Sequence, residues 1–325
     1  MATVETARGQ VDTAALGKVL MHEHVFVLSH EFHVNYPDVV GFDEEREVAA
    51  AVERLDELAA TGVGTIVDLT VVGLGRDIRL LARVAEQTTL NIVVATGYYT
   101  FTELPIFVHA RAGVGGVAVA DMLADWFVAD ITDGIARTGV RAGILKCATD
   151  EQGVTPDVES TLRAVARAHV RTGVPISTHT HPATGRGLEQ QDVFEEEGVD
   201  LTRVVIGHSG DSDDLEYLEA LLARGSYLGM DRFGLYGYLS KEARVETVAE
   251  LCRRGYAERL VLSHDANCVI DWYPPHLRGM LEEWHYCHIS RDVVPLLLEA
   301  GVTEDDLTTM LVDNPRRFFE ANEKY

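Results

Sequence analysis

His22-Glu23-His24 closes a short apolar run, Lys18–Met21, that reads as a β-strand. Residues two apart in a strand share a face, so His22 and His24 aim at one point while Glu23 points away. Two neutral imidazoles on one face are good ligands for a borderline transition metal. Such a pair is weak evidence by itself, but other polar residues sit at equivalent places. His179 follows Val174-Pro175-Ile176, His208 follows Val204-Val205-Ile206-Gly207, and Asp265 follows the run Arg259–Ser263. Lys146 ends Ala142-Gly143-Ile144-Leu145 in the same way. As an ammonium it would repel a cation and be costly to desolvate. It is either a snorkelling structural lysine or one carboxylated by CO2, an anion whose two oxygens could bridge two metals.

The elements that must position these residues alternate short β-branched runs with longer amphipathic ones, the rhythm of βα units and a parallel sheet. The expected strands are Lys18–Met21, Thr65–Leu69, Asn91–Thr96, Ala142–Cys147, Pro175–Thr178, Arg203–Gly207, Ser226–Met230 and Arg259–Ser263. Helical spacing marks Glu44–Ala60, Asp77–Gln87, Asp157–Thr172 and Lys241–Arg254. Strands each followed by a helix predict an α/β fold, a single (β/α)8 TIM barrel over residues 1–325, with an open doubly wound sheet as the alternative. In a barrel, the polar strand ends above would share the catalytic rim. Two segments do not read as barrel walls, Thr100–Gly116 and Asn267–Ser290, the second carrying Trp272, Tyr273, Trp284 and Tyr286. Both are expected as loops on the catalytic face, forming a lid and an apolar pocket wall or burying aromatics against the rim or a partner subunit.

Composition excludes several classes. The 325 residues are 46% apolar and 25% charged, which rules out disorder and coiled coil. Lys+Arg 28 against Asp+Glu 52 leaves −24, a field that repels nucleic-acid phosphates. No G-x-G-x-x-G or Walker motif follows an early strand. Cys147, Cys252, Cys268 and Cys287 lack metal or disulfide spacing and read as free thiols. No signal-peptide pattern and no run of eighteen apolar residues occurs, so the expectation is a cytoplasmic protein without membrane contact.

The order Leu20-Met21-His22-Glu23-His24, Lys146, His179, His208, Asp265 resembles the amidohydrolase superfamily, specifically its phosphotriesterase-like lactonases. The likeness extends to Gly97-Tyr98-Tyr99, Gly229-Met230-Asp231-Arg232-Phe233-Gly234, Ser263-His264-Asp265 with Cys268 and Asp271-Trp272, and the tail Asp313–Phe319. It implies two divalent metal ions per chain, zinc first, with cobalt, iron or manganese as alternatives. His22, His24 and Asp265 would hold the more buried ion and His179 and His208 the more exposed one. Carboxylated Lys146 and a hydroxide would bridge them. The resemblance places Tyr99, with adjacent Tyr98 as the alternative, beside the bridging hydroxide and substrate. It places Arg232 near the substrate's ring, and Cys268 and Trp272 in the loop lining an acyl-chain channel. Segment 105–116 departs from the family's motifs.

The implied activity is hydrolysis of N-acyl homoserine lactones and related aliphatic lactones, hence quorum quenching, with organophosphate triesters as side substrates and a homodimer as the assembly. Asp265 would act as proton shuttle, and Tyr99 and the exposed metal would stabilise the oxyanion. A phosphotriesterase or carboxylic esterase on the same metals is the nearest alternative, and a metal-free binding barrel the alternative of another class. Of the remaining histidines, His181 sits within reach of the site but beyond the strand run, and His264 points away by alternation. His30, His33, His109, His169, His276, His285 and His288 are expected in surface or lid roles.

Overall fold

The computed structural model describes residues 2–274 and 281–320, so His276 lies outside the described residues. A hairpin of β1 (Thr3–Thr6) and β2 (Gly9–Asp12) precedes the main sheet. The sheet then takes β3 (Lys18–Val27), β4 (Val63–Asp68), β5 (Asn91–Gly97), β6 (Ile144–Ala148), β7 (Ile176–His179), β8 (Val204–Ile206), β9 (Tyr227–Met230) and β10 (Leu260–Leu262). Each pairs in parallel with the next in chain order, and β11 (Asn267–Ile270) pairs with the far edge of β3.

Two backbone bonds and one to a serine hydroxyl past the end of β10 close the ring. His22 N donates to Ser263 Oγ (2.9 Å), Asp265 N to His22 O (3.0 Å) and His24 N to Ala266 O (2.8 Å). β10 and β11 are therefore two halves of one wall, broken at 263–266 where Asp265 sits. The fold is a (β/α)8 barrel, not the open sheet.

Side chains sort onto the two faces of this wall. Val19, Met21, Val67, Val93, Ala95, Ile144, Val205 and Val261 fill the interior, and Val4, Phe318 and Phe319 join them in the same cluster. Leu20, Ile66, Ile92, Val94, Leu145, Ile176, Val204, Ile206 and Leu260 pack outward against the helices. Strict alternation from Val19 and Met21 would put His22 and His24 on the outer face. The register between β3 and β4 slips by one residue between Leu20 and Glu23, a bulge that resets the phase and turns both histidines inward.

The helices lie outside for the reasons their sequences suggest. Glu44–Ala59 is capped by Asp43 accepting from Arg46 N and buries Val48, Ala51, Leu55 and Leu58. Pro156–Thr172 starts with Thr155 as cap and Pro at N1, and ends at Gly173 with φ 77°. The expected loop Thr100–Gly116 contains a helix, Ile106–Gly115, which begins after Pro105 and stops at Gly116 with φ 62°. Its glycines, which argue against a helix in the sequence, sit at its exposed end. The expected loop Asn267–Ser290 likewise opens with a strand, β11.

Candidate functional site

At the carboxyl end of the barrel the strand-end residues converge. His22 and His24 come from β3, Lys146 from β6 and His179 from β7, while His208 and Asp265 follow β8 and β10. His22 Nε2 lies 3.2 Å from Lys146 Nζ and 3.4 Å from Asp265 Oδ1, and His24 Nε2 lies 3.0 Å from the same oxygen. His179 Nδ1 faces His208 Nε2 at 2.8 Å. His208 and Asp265 reach inward because both adopt left-handed backbone, φ 60° and 55°, a conformation costly for a residue with a Cβ. Asp231 Oδ1, which accepts from His208 N at 2.8 Å, holds the first. The Asp265 N to His22 O bond holds the second.

The outer nitrogens are also tied. Asp231 accepts from His22 Nδ1 on Oδ2 and from His208 Nδ1 on Oδ1, each at 2.8 Å, and Asp150 Oδ2 accepts from His179 Nε2 at 2.8 Å. Thr70 Oγ1 lies 2.8 Å from His24 Nδ1. A carboxylate only accepts, so these bonds place the proton of His22, His208 and His179 on the outer nitrogen. Lone pairs then converge at the centre, and those of His179 and His208 oppose each other at 2.8 Å with no proton between them. A cation relieves that repulsion, so the donor set fits metal ions. His22, His24 and Asp265 bring one ligand atom each within 4.8 Å of one another. His22, His208 and Asp231 do so too. There, however, Asp231 meets the outer nitrogens, so it orients ligands rather than acting as one.

Burial sets the protonation states. It lowers the pKa of His22, brings His179 down to about 4 and holds His208 well below the usual imidazole range. Burial also brings Lys146 down to about 8, against the pull of Asp265 and Asp231. It would raise Asp265, but His22, His208, His24 and Arg232 outweigh it and keep the carboxyl well below its ordinary value. The hydrogen bond from His179 brings Asp150 down to about 2.

Around this centre stand Tyr99, whose hydroxyl lies 3.2 Å from His179 Nδ1, and Phe101, whose ring centroid is 5.1 Å from that of His179. Arg232 donates from Nε to Asp265 Oδ2 (3.0 Å) and from Nη1 to Asp211 Oδ2 (2.8 Å). Tyr98 is not at the centre: it is buried in the core between barrel and helices, one residue out of phase with Tyr99. Cys268 is set apart from the metal ligands but lines the cavity beside β11 with Asn267 and Ile270. The β11 register sets Asn267, not Cys268, opposite His24, and the Cys268 thiol points at Ala51 O (4.0 Å) and Tyr286 OH (3.1 Å). Trp272 is 54% exposed and Tyr273 50%, and Tyr273 lines a cavity of about 690 Å³ together with Trp284.

His181 bonds Thr184 Oγ1 (2.9 Å) in its own turn, away from the centre. His264 turns outward to Glu23 Oε1 (2.7 Å). Glu23 also accepts from Ser263 Oγ and from the backbone of 264 and 266, pinning the break that presents Asp265. His169 and His288 are fully buried, not at the surface.

Sequence reasoning missed Asp231, Asp150, Thr70, Asp211 and Phe101 as site residues. Asp231 was accessible to it, since it follows β9 just as Asp265 follows β10. Asp231→Asn is expected to lower metal affinity by about 10–100-fold, because an amide offers one acceptor oxygen where two imidazole N–H groups need one each. Activity titrated against limiting metal reads the change; unaltered affinity would remove Asp231 from this role.

The model of the phosphotriesterase family matches residues 2–319. The chain belongs to the phosphotriesterase family. A phosphotriesterase homology protein of Mycobacterium tuberculosis is 57% identical over 100% of both chains. The aryldialkylphosphatase of Saccharolobus solfataricus is 38% identical over 96% of this chain and 98% of its own. A solved phosphotriesterase structure from Mycobacterium tuberculosis superposes with TM-score 0.95 at 57% identity, covering 99% of this chain and 100% of that one. This phosphotriesterase-family chain is thus a hydrolase of the barrel type, with His and Asp groups that could hold metal.

Proposed function

We propose that the chain is a binuclear metal-dependent lactonase, opening N-acyl homoserine lactones and related aliphatic lactones, with organophosphate triesters as side substrates. The observation that carries the hydrolytic centre is the set of inward lone pairs on His22, His179 and His208 beside the Asp265 carboxylate. His22, His24 and Asp265 would hold one ion and His179 and His208 the other, with zinc the best match to these donors. Lys146 would complete the set as a carbamate. Its neutral amine adds to the carbon of CO2 and loses a proton, replacing a cation among ligands with a two-oxygen anion.

Two divalent cations there supply Lewis acidity toward a carbonyl and bring the pKa of a water toward neutrality. Asp265 accepts the proton of the attacking water, and the Arg232 guanidinium on Oδ2 fixes that carboxylate's orientation. Tyr99, kept protonated by burial, donates its hydroxyl hydrogen to the developing oxyanion. Asp265 then returns the proton to the ring-opened alkoxide, which stays tethered as the product hydroxyl.

The choice of lactone rests on the walls. Tyr99 and Phe101, 5.0 Å apart by centroid, make an aromatic side, and Arg232, 5.0 Å over the Tyr238 ring, makes a cationic one. A polar ring with an apolar tail suits that pair. The alternative, a phosphotriesterase proper, has the name of the Saccharolobus relative in its favour. A homodimer would cover part of the exposed apolar side chains Phe32, Tyr36, Ile106 and Phe107.

Comparing kcat/KM for a lactone series with that for an aryl phosphotriester separates the two. Lactones are expected to win by at least about tenfold, gaining up to about fourfold per added CH2 while the tail still finds apolar surface. Phe101→Ala should flatten that gain. A triester preferred over every lactone would establish the alternative.

A further inference from the structure

Outside the barrel mouth, His285, His288 and Asp292 bring one ligand atom each within 4.8 Å of one another. We propose that these three residues form a third, separate metal site that takes a borderline divalent cation such as zinc.

The spacing suits it. His288 and Asp292 are one helical turn apart, with His288 Nδ1 and Asp292 Oδ2 already at 2.9 Å, and His285 precedes them with its ring centroid 5.8 Å from that of His288. Bonds of about 2.0–2.1 Å need tetrahedral donors about 3.4 Å apart. The 2.9 Å pair must open slightly and the wider separations close by up to roughly 1.4 Å, which rotation of the exposed Asp292 and the partly exposed His285 supplies. His285 gives up one long bond, its Nδ1 accepting from Cys287 N at 3.2 Å.

His288 is built as a ligand. It is 1% exposed, and while Nδ1 faces Asp292, Nε2 lies 2.6 Å from the Tyr236 hydroxyl. Without an ion the Asp292 carboxylate places the His288 proton on Nδ1 and the Tyr236 hydroxyl donates to Nε2. Ligation through Nδ1 moves that proton to Nε2, which then donates to the Tyr236 oxygen as metal-bound histidines commonly do. Burial lowers the pKa of both His285 and His288, leaving neutral imidazoles to ligate. Two neutral rings and one carboxylate balance part of a dication's charge. His285 also borders a cavity of about 690 Å³ between helix Glu44–Ala59 and the segment from Leu281 onward, from which water can complete the coordination.

An ion here would tie three things together. Tyr236 belongs to the stretch after Arg232, and His285–Asp292 brace the turn that presents Asp265. Trp284 Nε1 donates to His264 O (3.0 Å), and Ile289 N donates to His264 Nε2 (2.8 Å). The site thus acts as a clamp on the scaffold behind the barrel centre without touching that centre.

The test counts zinc by mass spectrometry in the intact protein after dialysis against micromolar ZnCl2. The parent is expected to hold one zinc per chain more than His285→Ala or Asp292→Asn. Its thermal midpoint should rise further with zinc than theirs, which gain only from ions at the barrel centre. Tyr236→Phe should weaken the extra ion by about tenfold. Equal zinc in the parent and both variants would overturn the site. If the barrel centre itself bound nothing, the difference of one ion would persist, so the two failures remain distinguishable.

Discussion

Lys146→Ala is expected to lower kcat/KM by about a thousandfold or more, since losing several kcal/mol of Lewis-acid stabilisation corresponds to that factor. Lys146 is fully buried, its Nζ 2.9 Å from Thr178 O and 3.2 Å from His22 Nε2. Truncation also opens a cavity costing about 2–5 kcal/mol in comparable cores, so Lys146→Met, which keeps most of the volume, separates stability from chemistry. Both variants should be inactive, and only the alanine variant should recover in part when a small carboxylic acid fills the gap and supplies two oxygens. Lys146→Arg should fail as well, because guanidinium stays cationic and cannot become a carbamate. Full turnover in Lys146→Arg would show that no lysine-derived anion is needed.

Asp265→Asn should cost about 10²–10⁴-fold in kcat, the usual worth of a positioned acid–base group. Asparagine tolerates the left-handed backbone at φ 55°, so the turn after β10 is preserved. Its amide oxygen still accepts from Arg232 Nε, but it cannot take a proton from water. Steady-state kinetics at saturating metal isolates this loss from weaker ion binding. Wild-type kcat under those conditions would assign the proton to another group.

The barrel and the residues that converge at its rim are largely legible in the sequence, because each relies on local signals. Apolar runs such as Val204–Ile206 announce buried strands, and a polar residue directly after one marks the catalytic rim. What stayed hidden depends on phase and on distance across the fold. Cys268 looks adjacent to the site by position, yet one residue of register turns it outward and sets Asn267 opposite His24. Tyr98 and Tyr99 differ by the same single step. The bulge in β3 that aims His22 and His24 inward has no mark in the sequence, since it is a relation between two strands. Asp150 and Asp211 escape notice because their partners, His179 and Arg232, lie 29 and 21 residues away.

Stripping the protein with a chelator and titrating a divalent ion back while following lactone hydrolysis tests the central claim most directly. Activity should vanish in the stripped protein and return to a plateau once two ions per chain occupy the barrel centre, as the His22/His24/Asp265 and His179/His208 ligand sets require, whatever the outer His285/His288/Asp292 site takes up. Undiminished hydrolysis by protein shown to contain no transition metal would contradict the account.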